Sequence, residues 1–215
     1  MKNPTNHFKA ALKTGAQQIG IWNTIGGNTA CELLASCGYD WVLVDTEHAA
    51  TSTAEVLPAL QAIAGYPDVS AVVRPASNDD VTIKRLLDMG AQSLLIPYVQ
   101  NVAEARAAVA AMRYAPRGIR GMAGSMRATR FGSVENYATT VEEELCLIVQ
   151  VETIEAMAHL EAIAQVDGVD AVFIGPADLS ASMGLPGQTM HPDVVAVMVP
   201  SPSLRKSMWR QAFLL

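Results

Sequence analysis

Three ionisable side chains follow one short apolar run. The stretch WVLVDTEHAA occupies residues 41–50 and places Asp45, Glu47 and His48 directly after four apolar residues. Histidine side chains have an unperturbed pKa of about 6.5, so His48 could act as a general acid or base if a carboxylate partner oriented it. The alternative is that a strand leaves the core here and its first solvated residues follow.

A second group of polar residues could hold a metal ion. In LIVQVETIEAM, Gln150 and Glu152 are two residues apart at the end of a strand, so both side chains point to the same side. In VFIGPADLS, Asp178 lies just beyond the next strand. These oxygens suit Mg2+, Mn2+ or a similar ion that keeps water or substrate as further ligands. Alternatively, Glu152 begins a helix and Asp178 caps one.

Two arginines have local settings that indicate a function. Arg74, in AVVRPAS, follows an apolar run and could hold a carboxylate or a developing enolate oxygen by a bidentate contact. It could instead form a structural ion pair with Asp88 or Glu47. Arg120, in GIRG, either stiffens a long connection or reaches the site, and the sequence leaves both open.

Apolar, β-branched runs alternate with segments of helical period, and these elements must position the polar groups. We predict strands at 20–22, 41–44, 71–74, 94–96, 147–151 and 171–174. We predict helices at 27–36, 53–64, 79–89, 102–112 and 154–163, with Asn78 or Asp79, Asn101 and Thr153 as N-caps. The interval from Ile96 to Leu147 is about twice as long as the others and indicates either a functional loop or a surface excursion.

This alternation predicts a parallel sheet, either a barrel or an open doubly wound sheet. Polar residues end nearly every strand, which favours the barrel, because (β/α)8 barrels build their chemistry at that edge. No GxGxxG motif follows the first strand, so a dinucleotide site loses its main support.

Composition narrows the class of protein. The 215 residues are 50% hydrophobic with a net charge of −6, which favours one α/β domain and argues against a nucleic-acid or anionic membrane partner. Three cysteines without CxxC spacing indicate neither a disulfide framework nor a zinc ribbon. No stretch approaches the length of a membrane span. We expect a soluble, cytoplasmic protein that acts on a small molecule.

Five separated segments resemble the HpcH/HpaI aldolase family, the class II pyruvate aldolases. They are DTEHA, VVRPASND, LLDMGAQSLLIPYVQNVAEARAAVAAMRYAPRGIRG, VQVETIEAM and FIGPADLSASMG, and the resemblance covers residues 7–198. It implies a (β/α)8 TIM barrel that assembles as a homo-hexamer. It also implies cleavage of a 4-hydroxy-2-oxo acid, such as a 2-keto-3-deoxy sugar acid or 4-hydroxy-2-oxoheptanedioate, into pyruvate and an aldehyde.

The resemblance also implies roles for individual residues. Glu152 and Asp178 resemble ligands of a divalent metal, Mg2+, Mn2+ or Co2+, and Gln150 resembles a residue that lines the pyruvate site. Arg74 resembles the group that holds the keto and enolate oxygen, and His48 resembles the acid/base residue. Asp45 and Asp88 resemble carboxylates that could orient His48. The backbone N–H groups of Ala177 and Asp178 would bind the pyruvate carboxylate, and Trp22 would line the aldehyde side.

The sequence departs from the family pattern at its end. The family requires two more βα units after GLPGQTMHPDVVAVMV, whereas VPSPSLRKSMWRQAFLL follows here. We therefore expect an incomplete barrel of about six βα units over residues 1–198 and a divergent tail over 199–215. Such a sheet would expose two unpaired edges. Two alternatives to an active aldolase follow: a non-catalytic relative that binds metal or pairs with a full-length subunit, and a lyase of the citrate-lyase β-subunit type that acts on a CoA ester.

Overall fold

The computed structural model describes residues 1–199 and the backbone of residues 212–214. The strands are Gly20–Asn23 (β1), Trp41–Asp45 (β2), Ser70–Arg74 (β3), Ser93–Ile96 (β4), Cys146–Val151 (β5), Ala171–Ile174 (β6) and Ala212–Leu214 (β7). The helices are His7–Thr14 (α1), Asn28–Ala35 (α2), Thr53–Ile63 (α3), Asp80–Asp88 (α4), Val102–Met112 (α5), Tyr137–Thr140 (α6), Ile154–Ala158 (α7), Leu160–Ala164 (α8), Pro176–Ser182 (α9) and Pro192–Met198 (α10). Within these residues, no helix combines the length and the apolar character needed to cross a membrane.

All strands are parallel and pair in chain order from β1 to β7. The six predicted strands are confirmed, and they form a curled half-barrel. Its curvature brings Trp22 of β1 near Phe173 of β6, with ring centroids 5.3 Å apart although the two strands are not neighbours. A seventh strand, β7, pairs with β6 inside the tail that the sequence analysis left without a strand. The rest of that tail, 200–211 and 215, lies outside the described residues, and the eight-unit barrel stays a prediction.

Alternation along the strands divides the core into two layers. Val42, Val44, Val73 and their equivalents face the helices. The opposite set fills the concave face and consists of Trp41, Leu43, Val72, Leu95, Ile148 and Phe173. Helix α1, which was not predicted from the sequence, covers this layer at the amino ends of the strands through the buried side chain of Phe8. Period-two alternation continues this inner row into polar residues at the carboxyl ends. The fold therefore aims Asp45, Arg74 and Gln150 at the inside of the sheet.

The predicted helices and N-caps agree closely with the structure. Asp79, Asn101 and Thr153 each accept a hydrogen bond from a first-turn N–H group, which satisfies one of the unpaired donors of the helix start. The helix predicted over 154–163 is divided into α7 and α8 at His159, whose φ of −105° and ψ of 3° depart from helical values.

The long connection between α5 and β5 is anchored by a buried arginine. The Arg120 guanidinium carbon lies 4.5 Å from the Tyr114 ring and 5.9 Å from the Tyr137 ring, and Nη2 donates to Asp88 Oδ1 at 2.8 Å. Asp88 ends α4 and leads to the start of β4. Arg120 therefore stiffens the connection at the amino end of the sheet.

Candidate active site

The segment after β2 is held against β3 by its own short polar side chains. Thr46 donates to the Arg74 carbonyl from its backbone N–H at 2.9 Å and from Oγ1 at 2.7 Å. Asp45 Oδ1 accepts from the backbone N–H groups of Glu47 at 3.0 Å and His48 at 3.4 Å. These bonds fix where the side chains of Glu47 and His48 emerge.

Asp45 and Arg74 form a buried, bidentate ion pair. Arg74 donates from Nε to Asp45 Oδ1 at 2.9 Å and from Nη2 to Oδ2 at 2.6 Å. The Asp45 side chain is 0% exposed and that of Arg74 is 8% exposed. Burial acts to raise the pKa of Asp45, but the hydrogen bonds from Arg74 and from two backbone N–H groups lower it below its ordinary value. The guanidinium is consequently held in one orientation by a carboxylate that stays ionised.

Glu152 is buried at the end of β5 and is held at both oxygens. The Tyr98 backbone N–H donates to Oε1 at 2.9 Å, and Gln150 Nε2 donates to Oε2. Burial raises the pKa of Glu152, against the effect of these two hydrogen bonds. Gly175, directly after β6, passes so close that a Cβ there would lie 2.5 Å from Glu152 Oε2. A glycine is therefore required beside this carboxylate.

Asp178 and Ala177 lie in the first turn of α9, exposed to solvent, one strand away from Glu152. The negative charge of Asp178 adds to the raised pKa values of both Glu152 and Glu47, so these acids share one region of space. Within the described part of the chain, no three His, Cys, Asp or Glu side chains form a complete metal site by themselves. The assignment of Glu152 and Asp178 as metal ligands therefore stays a prediction.

Glu47 was predicted only as a possible ion-pair partner of Arg74, and the structure shows that contact together with an approach to His48. Its Oε2 lies 3.1 Å from Arg74 Nη1, and its Oε1 lies 3.8 Å from His48 Nε2. Burial raises its pKa, and Asp45 and Asp178 add to this, whereas Arg74 and His48 oppose it. Its place two residues beyond the end of β2, between Asp45 and His48, was the available signal.

The structure does not bring together the predicted orienting carboxylates and His48. Both Asp45 oxygens are taken by Arg74 and backbone N–H groups, so Asp45 touches the backbone of His48 and not its imidazole. Asp88 pairs with Arg120 at the amino end of the sheet. The His48 side chain is 65% exposed and faces Glu47.

Trp22 lies beside Arg74. The guanidinium carbon is 5.9 Å from the Trp22 ring, which also contacts Trp41 and Phe173 edge-on or tilted. Asn23, which also ends a strand, turns away to shape the next loop, accepting from the N–H groups of Ile25 at 3.2 Å and Gly26 at 3.1 Å. The Trp22 ring therefore forms an aromatic wall next to the Arg74 guanidinium at the carboxyl ends of the strands.

Comparison with known proteins identifies related chains along nearly the whole length. A pyruvate aldolase of Rhizobium etli is 60% identical over 198 residues, which are 92% of this chain and 78% of that protein. A 4-hydroxy-2-oxo-heptane-1,7-dioate aldolase of Salmonella heidelberg is 54% identical over 194 residues, covering 90% and 73%. The crystal structure of an HpcH/HpaI aldolase/citrate lyase family protein from Burkholderia cenocepacia J2315 superposes with a TM-score of 0.91 at 37% identity, covering 97% of this chain and 83% of the other.

The family profile described as HpcH/HpaI aldolase/citrate lyase matches residues 18–208. The match includes β1 to β6 and every site residue described above. The chain belongs to the HpcH/HpaI aldolase/citrate lyase family, a family of carbon–carbon lyases.

Proposed function

We propose that the protein catalyses reversible aldol cleavage of a 4-hydroxy-2-oxo acid to pyruvate and an aldehyde with the help of a divalent metal. The observation that carries this proposal is the immobilised Arg74 guanidinium, which lies at the carboxyl ends of the strands together with the buried Gln150 and Glu152. Relatives named pyruvate aldolase and 4-hydroxy-2-oxo-heptane-1,7-dioate aldolase support the same reaction class.

Arg74 stabilises the charge that develops when the carbon–carbon bond breaks. Cleavage leaves the pyruvate fragment as an enolate, whose oxygen carries negative charge. The guanidinium has five N–H donors. Asp45 takes Nε and one Nη2 donor, and Glu47 and Gln150 face Nη1 at 3.1 Å and 3.5 Å. At least one N–H of Nη2 remains for substrate, and a fixed donor of this kind needs no reorganisation during the reaction.

Glu152 and Asp178 would hold the metal, with Gln150 beside them. The site fits Mg2+, Mn2+ or Co2+ because the donors are oxygens and because the negative charges of Asp178 and Glu47 act on Glu152. When bound, the cation supplies Lewis-acid polarisation of the 2-oxo group.

The remaining residues bind and move protons. His48 takes the proton from the 4-hydroxyl during cleavage and returns it during condensation, which requires only that the imidazole reach that oxygen. The N–H groups of Ala177 and Asp178 lie in the first turn of α9, where a helix leaves its donors unpaired, and they bind the pyruvate carboxylate. Trp22 forms the wall on the aldehyde side.

A direct assay tests this proposal. The purified chain is given a panel of 4-hydroxy-2-oxo acids with Mg2+, Mn2+ or Co2+, and pyruvate release is measured with and without excess EDTA. We expect metal-dependent release that EDTA abolishes. Unchanged cleavage in EDTA would contradict the metal role, and a folded chain that binds Mn2+ but releases no pyruvate would favour a non-catalytic relative.

Light scattering on the same sample tests the assembly. We propose a homo-hexamer, as the family resemblance implies, and expect a mass close to six chains. A monomeric mass at assay concentration would contradict it. Circular dichroism on that sample establishes that the chain is folded, so the activity result and the assembly result can be read separately.

A further inference from the structure

We propose that Glu47 positions the His48 imidazole and the Arg74 guanidinium relative to each other, with one carboxylate oxygen for each. The inference rests on the proposed function, because it gives Glu47 a role in that same reaction. Within this chain, Asp45 and Asp88 do not approach the His48 imidazole, whereas Glu47 does.

The two oxygens of Glu47 point to different partners. Oε2 is 3.1 Å from Arg74 Nη1, and Oε1 is 3.8 Å from His48 Nε2. The distance of 3.8 Å exceeds that of a hydrogen bond and keeps the imidazole within ion-pair range while it remains accessible. Among the described residues, Glu47 is therefore the carboxylate that approaches both the group assigned to the enolate and the group assigned to the 4-hydroxyl proton.

Charge balance shows why a structural role alone does not account for Glu47. Asp45 already neutralises Arg74 with both of its oxygens, so the ion pair is complete without a second acid. The Glu47 side chain is nonetheless only 17% exposed, and its Oε2 is a buried oxygen that accepts no hydrogen bond of good geometry within the described residues. Burying a surplus carboxylate costs free energy. Its other oxygen, Oε1, faces the His48 imidazole at 3.8 Å from Nε2, so the surplus carboxylate lies where it approaches both groups.

The position of Glu47 is also fixed from both sides along the chain. Its backbone N–H donates to Asp45 Oδ1 at 3.0 Å, and the preceding Thr46 is bonded twice to the Arg74 carbonyl. The side chain therefore starts from an anchored backbone, and small changes at its tip would be transmitted to both partners. Such a residue acts through its neighbours and not on the substrate.

The test compares Glu47→Gln with Glu32→Gln, which removes the same charge from an exposed position on α2. Glu47→Gln should lower kcat by about 10- to 100-fold with little change in KM, because the substrate-binding groups remain. Glu47→Asp keeps the charge on a shorter side chain and should recover part of the lost kcat. Glu32→Gln should leave both parameters unchanged. A Glu47→Gln enzyme with wild-type kcat would overturn the proposal.

A second readout does not depend on turnover. In protein labelled with 13C at the imidazoles, the resonance of His48 is assigned by its disappearance in His48→Asn. It should shift in Glu47→Gln and stay in place in Glu32→Gln. If the wild-type chain cleaves no substrate but the His48 resonance responds to Glu47→Gln, the proposed reaction fails and the positioning contact stands. If the wild-type chain is active but the resonance does not respond, the positioning role fails alone.

Discussion

Two arginines are buried at opposite ends of this sheet, and they are buried differently. Arg74, at the carboxyl ends of the strands, faces two carboxylates and an amide oxygen. Arg120, at the amino ends, faces one carboxylate and the faces of Tyr114 and Tyr137. Burial raises the pKa of Tyr114 to about 12, so this ring stays neutral and attracts the guanidinium by its π electrons.

Under the proposed function, this difference separates an arginine that binds a ligand from one that packs against aromatic rings. Nε and Nη1 of Arg120 have no hydrogen-bond partner within residues 1–199, because aromatic faces surround them. Arg74 lies among more negative charge than its own neutralisation requires. Surplus negative charge around a fixed cation is expensive in a structural site, and it agrees with the proposal that a divalent metal also binds there.

The largest effect should come from removing the carboxylate that holds Arg74. Asp45→Asn takes away the charge from a fully buried pair, and breaking such a pair costs about 3–5 kcal/mol of unfolding free energy. Thermal or urea unfolding measures this loss, and Asp68→Asn, at an exposed position, is the matched control. A loss no larger than that of the control would show that buried Arg74 does not need the Asp45 carboxylate for stability.

The pH dependence of that loss has a defined direction. The folded-state pKa of Asp45 is lowered. Its stabilisation is therefore fully present above the ordinary carboxyl pKa of about 3.9 and is lost as the pH falls through the lower folded value. The difference in unfolding free energy between the wild type and Asp45→Asn should be constant from about pH 5 to 7 and shrink below about pH 4. A difference that grows on acidification would contradict the ion-pair account.

Arg74→Lys should reduce activity more than it reduces stability. Lysine keeps the charge but loses the planar fork that binds Asp45 and presents the remaining N–H, so kcat should fall by about 10²- to 10³-fold. The measurement is pyruvate release at saturating substrate and metal. Arg120→Lys should leave kcat unchanged at a temperature where it is folded. Equal losses of kcat in the two variants would remove the functional distinction between the two arginines.

The curled sheet and its inner polar row could be predicted because period-two alternation and strand-end polarity are local in sequence. The placement of Arg74, Gln150 and Glu152 on the inner face rests on that same periodicity, and their roles stay proposals. Contacts between distant segments could not be predicted in this way. The pairing of Arg120 with Asp88 depends on how a long connection folds back, and the capture of both Asp45 oxygens by Arg74 depends on the register of β2 with β3.

Three further differences between the predicted and the observed structure concern α1, β7 and Glu47. Helix α1 is short, and its single buried residue, Phe8, gives no helical period to detect. Strand β7 is three residues long and pairs only through the edge that β6 offers. Glu47 was predicted only as a possible ion-pair partner of Arg74, because its additional approach to His48 depends on distances that the sequence does not contain.

Arg120→Lys should instead lower stability. The lysine keeps a charge for Asp88 but does not stack on the rings of Tyr114 and Tyr137, each contact being worth about 1 kcal/mol or somewhat more. We expect a loss of about 2 kcal/mol in unfolding free energy, measured by urea denaturation. Arg117→Lys, at a position whose side chain is 59% exposed, is the control and should change stability little. An undiminished stability in Arg120→Lys would show that the rings do not hold the guanidinium.

The smallest expected effect is on Mn2+ affinity and compares two glycines, Gly175 beside Glu152 and Gly118 in the long connection. A Cβ at Gly175 would meet the Glu152 side chain, with Oε2 at 2.5 Å, whereas a Cβ at Gly118 would meet the backbone oxygens of Arg113 and Ala110 at 2.3 Å and 2.4 Å. Gly175→Ala should displace the carboxylate and weaken Mn2+ binding by about tenfold, a typical effect of disturbing the surroundings of a metal ligand. Gly118→Ala should lower the unfolding temperature and leave Mn2+ affinity unchanged, because backbone cannot yield as a side chain does. Titration calorimetry with Mn2+ checks both variants, and equal affinity in Gly175→Ala and the wild type would mean that Glu152 does not hold the metal.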